Sequence, residues 1–139
     1  GVQTCALPIL RINKMGLMSA ITGNASEISA EAIEDEVGPI LASGEQITKA
    51  YKLIRDYFVF TNSRVILVDK QGITGTQIEF LSIPYRSITS FSIETAGLGF
   101  NDSVLTLHIH GMDDIRREFK KSINIAEVQM ALAEQLNRS

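Results

Sequence analysis

Hydrophobic and polar positions along this chain follow a helical rhythm toward both ends and a strand rhythm between them. In the first helical stretch, Ser29-Ala30-Glu31-Ala32 is an N-cap signature with an acid in the first turn, where the helix dipole favours it. Ile28, Ala32, Ile33 and Val37 recur near helical spacing, while Glu31, Glu34, Asp35 and Glu36 form the wet side. Gly38-Pro39 breaks that helix, leaving Ile40, Leu41 and Ala42 room for one further turn before Gly44.

From Glu45 to Lys120 the pattern is strand after strand. Residues 46–54 make the first, and IRDYFVFT, aromatic and β-branched, leads into the next. Thr61-Asn62-Ser63 turns the chain, with Asn62 suited to a left-handed backbone. RVILVD is a short continuous apolar run, as expected of a strand covered on both faces. Asp69-Lys70-Gln71-Gly72 reads as a tight turn, with Asp69 placed for an Asx-type bond and Gly72 at its end. Residues 77–83 form another strand, closed by Pro84, which has no N–H for a ladder. In SITSFSIET, Phe91 and Ile93 oppose Ser90, Ser92 and Glu94; in SVLTLHIH, Leu105, Leu107 and Ile109 oppose Val104, Thr106, His108 and His110. A turn at 111–114 precedes a last strand at 115–120. About seven short strands joined by turns predict a small barrel or sandwich, a mainly β (α+β) domain. Asn124 then caps an amphipathic helix over 124–136, with Glu127 three residues on as in a capping box. Its stripe of Ile125, Val128, Leu132 and Leu136 needs burial, and one open end of the barrel is the natural place.

The opening nonapeptide GVQTCALPI fits none of this. It reads as translated sequencing adapter, so residues 1–14 are expected to be artefact or leader and residues 15–139 a single domain starting at Met15, with Met18 a second candidate start. That domain divides into a helical segment at 15–43, a barrel at 45–120 and the helix at 124–136. Setting aside Arg11 and Lys14 moves the formal net charge from −3 to −5. It also removes Cys5, the single cysteine, and with it a thiol nucleophile, a disulfide or a cysteine-ligated zinc site. No apolar run approaches the roughly 20 residues that span a bilayer. The expectation is a cytoplasmic protein whose acidic balance disfavours nucleic acid as a partner.

Catalytic signatures are weak. His108 and His110 lie two apart on one predicted strand face, but a metal site needs three or four ligands, and only Asp113 and Asp114 are near in sequence. Thr95-Ala96-Gly97-Leu98-Gly99 holds a lone G-x-G followed by strand-type sequence, so it reads as a turn rather than a phosphate loop. No serine sits in a nucleophile-elbow sequence. No enzyme activity, cofactor or metal is expected.

Three ordered blocks, KLIRDYFVFTNSRVILVDKQGITG, SIPYRSITSFSIETAG and EFKKSINIAEVQ, resemble the bacterial pleckstrin-homology domain family. The opening MGLMSAITGNASEISAEAIEDEV is similar too, and the likeness spans residues 15–136. It implies a partly open barrel of about seven antiparallel strands capped by a C-terminal helix, self-association into a ring-like homo-oligomer, a polar protein-binding surface near protomer boundaries, and no catalytic activity. The loop Leu98-Gly99-Phe100-Asn101-Asp102 departs from the family pattern, and Phe100 there would alter a contact. Candidates for a polar binding surface are Arg55, Asp56, Thr61, Arg64, Lys70, Gln71, Tyr85, Arg86 and Ser87, since arginine and tyrosine are favoured interface anchors. Among them Arg55, Arg64, Tyr85 and Arg86 are assigned function, while Asn62, Asp69 and Gly72 are assigned turn-making roles. The partner is then an unidentified protein. The weaker alternative is a peripheral module binding anionic lipid or phosphate head groups through Lys49, Lys52, Arg55, Arg64 and Lys70 by charge-assisted hydrogen bonds.

Overall fold

A computed structural model describes residues 27–28, 30–53, 56–71, 77–95 and 102–138. The expectations for residues 1–26, the Ser29 cap, Arg55, Gly72 and the loop bearing Phe100 lie outside the described residues. The described elements are β1 (Glu27–Ile28), α1 (Ala30–Val37), β2 (Ile47–Lys52), β3 (Asp56–Thr61), β4 (Arg64–Gln71), β5 (Gln77–Pro84), β6 (Ile88–Thr95), β7 (Ser103–Ile109), β8 (Ile115–Phe119) and α2 (Ile125–Arg138). Two short 3-10 turns, Gly38–Ile40 and Tyr85–Ser87, mark the changes of direction. All pairings are antiparallel, in a five-stranded sheet ordered β1-β2-β3-β4-β5 and a three-stranded sheet ordered β6-β7-β8. The expected seven antiparallel strands are therefore β2 to β8, in two sheets that do not close into a barrel, with the two-residue β1 added at one edge.

Alternation along the strands decides what each face meets. Phe58, Phe60, Val65, Leu67 and Ile83 point from the first sheet toward Leu105, Leu107, Ile109 and Phe119 of the second, forming the main core. Tyr51, Phe58, Phe60 and Phe119 meet there as tilted or edge-on rings with centroids 5.2 to 6.2 Å apart, a geometry that suits their quadrupoles. Val128 and Leu132 of α2 are fully buried in the same cluster, with Ile125 and Leu136 packed against it, so the stripe read from sequence does cap one end of the sheets. The capping is real but simpler than a box: Asn124 Oδ1 accepts from the Ala126 N–H at 3.1 Å, while Glu127 faces Lys49 on β2 at 3.9 Å.

The other face of the first sheet has its own cluster of Ala50, Val59, Ile66 and Val68 beneath Ile33 and Val37 of α1. This is why RVILVD is apolar throughout: Val65 and Leu67 face the main core, Ile66 and Val68 face the helix. The helical stripe read for α1 is half right. Ile33 and Val37 are buried, but Ala32 is exposed and Ile28 lies in β1, paired with Ala50, because backbone pairing claims it before the helix begins. The turn read at 69–72 is also corrected. Asp69, Lys70 and Gln71 stay in β4, opposite Glu79, Ile78 and Gln77, so the ladder to β5 outcompetes an Asx turn at Asp69.

Candidate functional site

The hairpin turn between β3 and β4, the loop before β2, and the corner where β5 hands over to β6 converge at one end of the molecule. Gly44 sits at φ +80°, a left-handed conformation that glycine adopts without a Cβ penalty, and there the chain turns back so that Glu45 N–H donates to the Ala42 carbonyl at 3.0 Å. That turn aims the Glu45 carboxylate inward, where its side chain is only 3% exposed. Five donors converge on it. Oε1 accepts from Ala42 N–H at 2.9 Å and Arg64 Nη2 at 3.0 Å; Oε2 accepts from Arg64 Nε at 2.9 Å, Thr61 Oγ1 at 2.6 Å and Ser63 Oγ at 2.8 Å. Every nitrogen of the Arg64 fork has a partner as well, with Nη2 also donating to the Ile40 carbonyl at 2.6 Å and Nη1 to Ser82 Oγ at 2.7 Å. Burial alone raises the Glu45 pKa, yet the hydrogen bonds from Arg64, Thr61, Ala42 and Ser63 outweigh it and bring the value from 4.5 down to about 2.

The hairpin turn is tied down by the same groups. Thr61 Oγ1 accepts from the N–H groups of Ser63 and Arg64 at 3.1 and 3.0 Å. Asn62 is structural, as expected, but by a different means: no residue other than glycine has positive φ among the described residues, and Asn62 instead exchanges hydrogen bonds with Gln46 and donates to the Gly44 carbonyl, both in the loop before β2. Tyr85 donates its hydroxyl to the Thr61 carbonyl at 2.6 Å and is 3% exposed. Burial first, then the nearby Glu45 charge, push its pKa well above the ordinary range despite that bond.

The structure thus separates the residues grouped as a binding surface. Thr61, Arg64 and Tyr85 are brought together, but as an internal lock whose polar atoms already have partners. Arg86 is exposed beside them, and Ser87 is half-buried with its carbonyl accepting from the His110 N–H at 2.9 Å. Ser63, Pro84, Tyr85 and Arg86 line a shallow cleft of about 200 Å³. Lys70 lies elsewhere, hydrogen-bonded to Glu36 of α1 at 2.9 Å, with its ammonium 5.0 Å from the Tyr57 ring centroid; the bond to Glu36 is the main cause of its raised pKa. Gln71 is exposed at the end of β4, and Asp56 is half-buried with Arg117 Nε 3.8 Å away.

Glu45 and Ser82 are the members of this network that the sequence reading missed. Their partner Arg64 lies 19 residues from one and 18 from the other, and no local spacing signals such a pairing. His108 and His110 do not share a strand face. His108 is in β7 with Nδ1 3.0 Å from Asp114 Oδ1, while His110 has passed into the turn that ends at Gly111, φ +84°. No group of three metal-ligating side chains converges among the described residues, and no described helix is long and apolar enough to cross a membrane.

Comparisons with known proteins agree with this architecture. The chain is 48% identical over 121 residues to the uncharacterized protein YjqA of Bacillus subtilis, covering 86% of this chain and 97% of that one. A protein with a pleckstrin-homology domain from Shewanella loihica superposes with a TM-score of 0.72 at 43% identity, over 82% of this chain and 98% of its own. A pleckstrin-homology domain from Shewanella amazonensis gives a TM-score of 0.72 at 40% identity, over 87% and 98%. Two open sheets capped by a C-terminal helix are thus shared with solved relatives, and the Bacterial PH domain family model matches residues 16–136: this chain belongs to that family.

Proposed function

We propose that this protein is a non-enzymatic interaction module working as a cyclic homo-oligomer that presents a polar surface to a partner protein. The observation that carries the reading is the open edge at β5. Among the described residues β5 has a hydrogen-bonded neighbour on one side only, and Ile78 and Phe80 are 44% and 37% exposed on its outward face. An unpaired edge flanked by exposed apolar side chains invites a further strand. In the second sheet β6 and β8 are likewise edges among the described strands, so unlike edges are available to one another. A contact between unlike surfaces is head-to-tail, and it closes into a ring when the rotation permits. Each ring would repeat the exposed corner at Arg86 once per protomer, and repeated weak sites gain avidity without any single tight contact.

Light scattering behind a sizing column tests the assembly on the full chain. The expected result is one species at several times the monomer mass, converted to monomer by Phe80→Glu, which places a charge on the edge. A wild-type monomer at every concentration used would remove the ring and the avidity argument together.

A further inference from the structure

We infer that the cleft between the β3–β4 turn and the β5–β6 corner is a binding site for an acidic side chain, a glutamate or aspartate of an extended peptide, with Arg86 as its anchor. The inference rests on the interaction-module reading and names the chemistry that the exposed corner would recognise.

The cleft is lined by Ser63, Pro84, Tyr85 and Arg86. Pro84 adds an apolar side chain to that lining, which suits the methylene stem of a ligand side chain. Its charge is positive and unopposed. Glu45, the carboxylate of the adjoining network, is already neutralised by Arg64 at 2.9 and 3.0 Å, whereas Arg86 is exposed and faces no carboxylate within ion-pair distance among the described residues. A planar guanidinium free in this way takes a carboxylate by two parallel hydrogen bonds.

Hydrogen-bond direction sharpens the ligand class. Ser63 Oγ spends its only hydrogen on Glu45 Oε2 at 2.8 Å, so toward the cleft it offers an acceptor. An acceptor next to one arginine is matched by a peptide, which brings an N–H for Ser63 and a carboxylate for Arg86. It is poorly matched to a phosphate group, whose oxygens need several donors and would meet a lone pair instead. Size points the same way. At about 200 Å³ the cleft is below the roughly 300–1,000 Å³ of sites that enclose drug-sized ligands, which suits a side chain with its short flanking peptide. Tyr85, part of the same lining, is held in place because its hydroxyl donates to the Thr61 carbonyl at 2.6 Å.

The probe is acetyl-Gly-Glu-Gly-amide, with acetyl-Gly-Gln-Gly-amide as the neutral twin and sodium phosphate as competitor, followed by saturation-transfer NMR on the full chain. One anchored side chain gives a dissociation constant in the millimolar range. The Glu peptide is expected to bind at least about tenfold more tightly than the Gln peptide, and about tenfold more tightly to wild type than to Arg86→Gln, the usual consequence of losing a charge-assisted pair. Arg86 is exposed, so the variant keeps its fold, and its native mass is checked in the same samples. Equal binding of the two peptides, equal binding by Arg86→Gln, or displacement by phosphate at concentrations where acetate has no effect would each overturn the site. A monomeric protein that still selects the Glu peptide through Arg86 removes the ring but keeps the cleft. A ring whose peptide binding ignores Arg86 removes the cleft but keeps the ring.

Discussion

Replacing Glu45 by glutamine is the sharpest perturbation of this fold, because one change of charge touches five hydrogen bonds at once. Glutamine has almost the same shape, so packing is untouched. Whichever way its amide turns, an NH2 group replaces an acceptor oxygen and confronts either two or three donors. Arg64, whose side chain is 22% exposed, is left with its charge unopposed. Removing one partner of a buried pair costs about 3–5 kcal/mol, and the partial exposure of Arg64 puts the expectation near the lower end. Linkage gives an independent figure: lowering a carboxyl from 4.5 to about 2 corresponds to about 3 kcal/mol at neutral pH. Since the folded pKa lies below the unfolded one, this stability is fully present above pH 4.5 and is lost as pH falls toward about 2.

The assay is urea unfolding of wild type and Glu45→Gln at one fixed protein concentration, since self-association would otherwise shift both curves. With a slope of about 1.5 kcal/mol per molar urea, a loss of about 3 kcal/mol lowers the midpoint by about 2 M at pH 7. The gap between the two proteins must then narrow as pH drops below 4.5, because wild type protonates the same carboxylate that the variant lacks. A gap that stays constant down to the acid limit, or one below about 1 kcal/mol at pH 7, refutes the reasoning: the pair would then behave as a solvated surface contact.

Two further outcomes follow from the same geometry. Tyr85→Phe leaves the Thr61 carbonyl without its 2.6 Å donor and should cost about 1–2 kcal/mol in urea unfolding; wild type should also lose stability more steeply than the variant as pH rises above the ordinary tyrosine value of 10.0, because the buried hydroxyl resists ionisation in the folded state. Asn124→Ala removes the acceptor at the start of α2 and should lower stability by about 1 kcal/mol, read as a small drop in thermal midpoint with unchanged native mass.

The fold was largely legible in the sequence because burial is written in local rhythm. Period-two alternation placed Phe91 and Ile93 against the core and Ser90, Ser92 and Glu94 in solvent, and the α2 stripe named Val128 and Leu132 correctly. The apolar run Val65–Val68 announced cover on both faces without saying what the second cover was; that depended on Ile33 and Val37 arriving from a helix more than 25 residues upstream. Polar residues carry no such rhythm. Thr61, Arg64 and Tyr85 have the composition of an interface, and only their distances reveal that Glu45 and a backbone carbonyl already occupy them. The turn role of Asn62 is legible but its means is not, since a turn asparagine with a left-handed backbone and one that bonds across to the loop before β2 look alike in sequence.

The same internal pairing weighs on the choice of partner class. An anionic head group would have to be held by Lys49, Lys52, Arg64 and Lys70, Arg55 lying outside the described residues. Lys49 faces Glu127 at 3.9 Å, Arg64 faces Glu45 at 2.9 Å and Lys70 faces Glu36 at 2.9 Å, which leaves Lys52 as the exposed cation of the four without an ion pair among the described residues. A phosphate approaching any of the first three meets a carboxylate already in place, and at the Glu45 site that carboxylate is buried and cannot swing away. Three of these cations make ion pairs between elements, β2 with α2, the loop before β2 with β4, and α1 with β4. The β5 edge and the Arg86 corner keep exposed apolar and exposed charged groups. Rigid presentation favours recognition, because a site that is already ordered loses little entropy when a partner docks. On that reasoning raising the salt should weaken capture of an acidic peptide at Arg86 while leaving an assembly built on Ile78, Phe80 and backbone pairing intact.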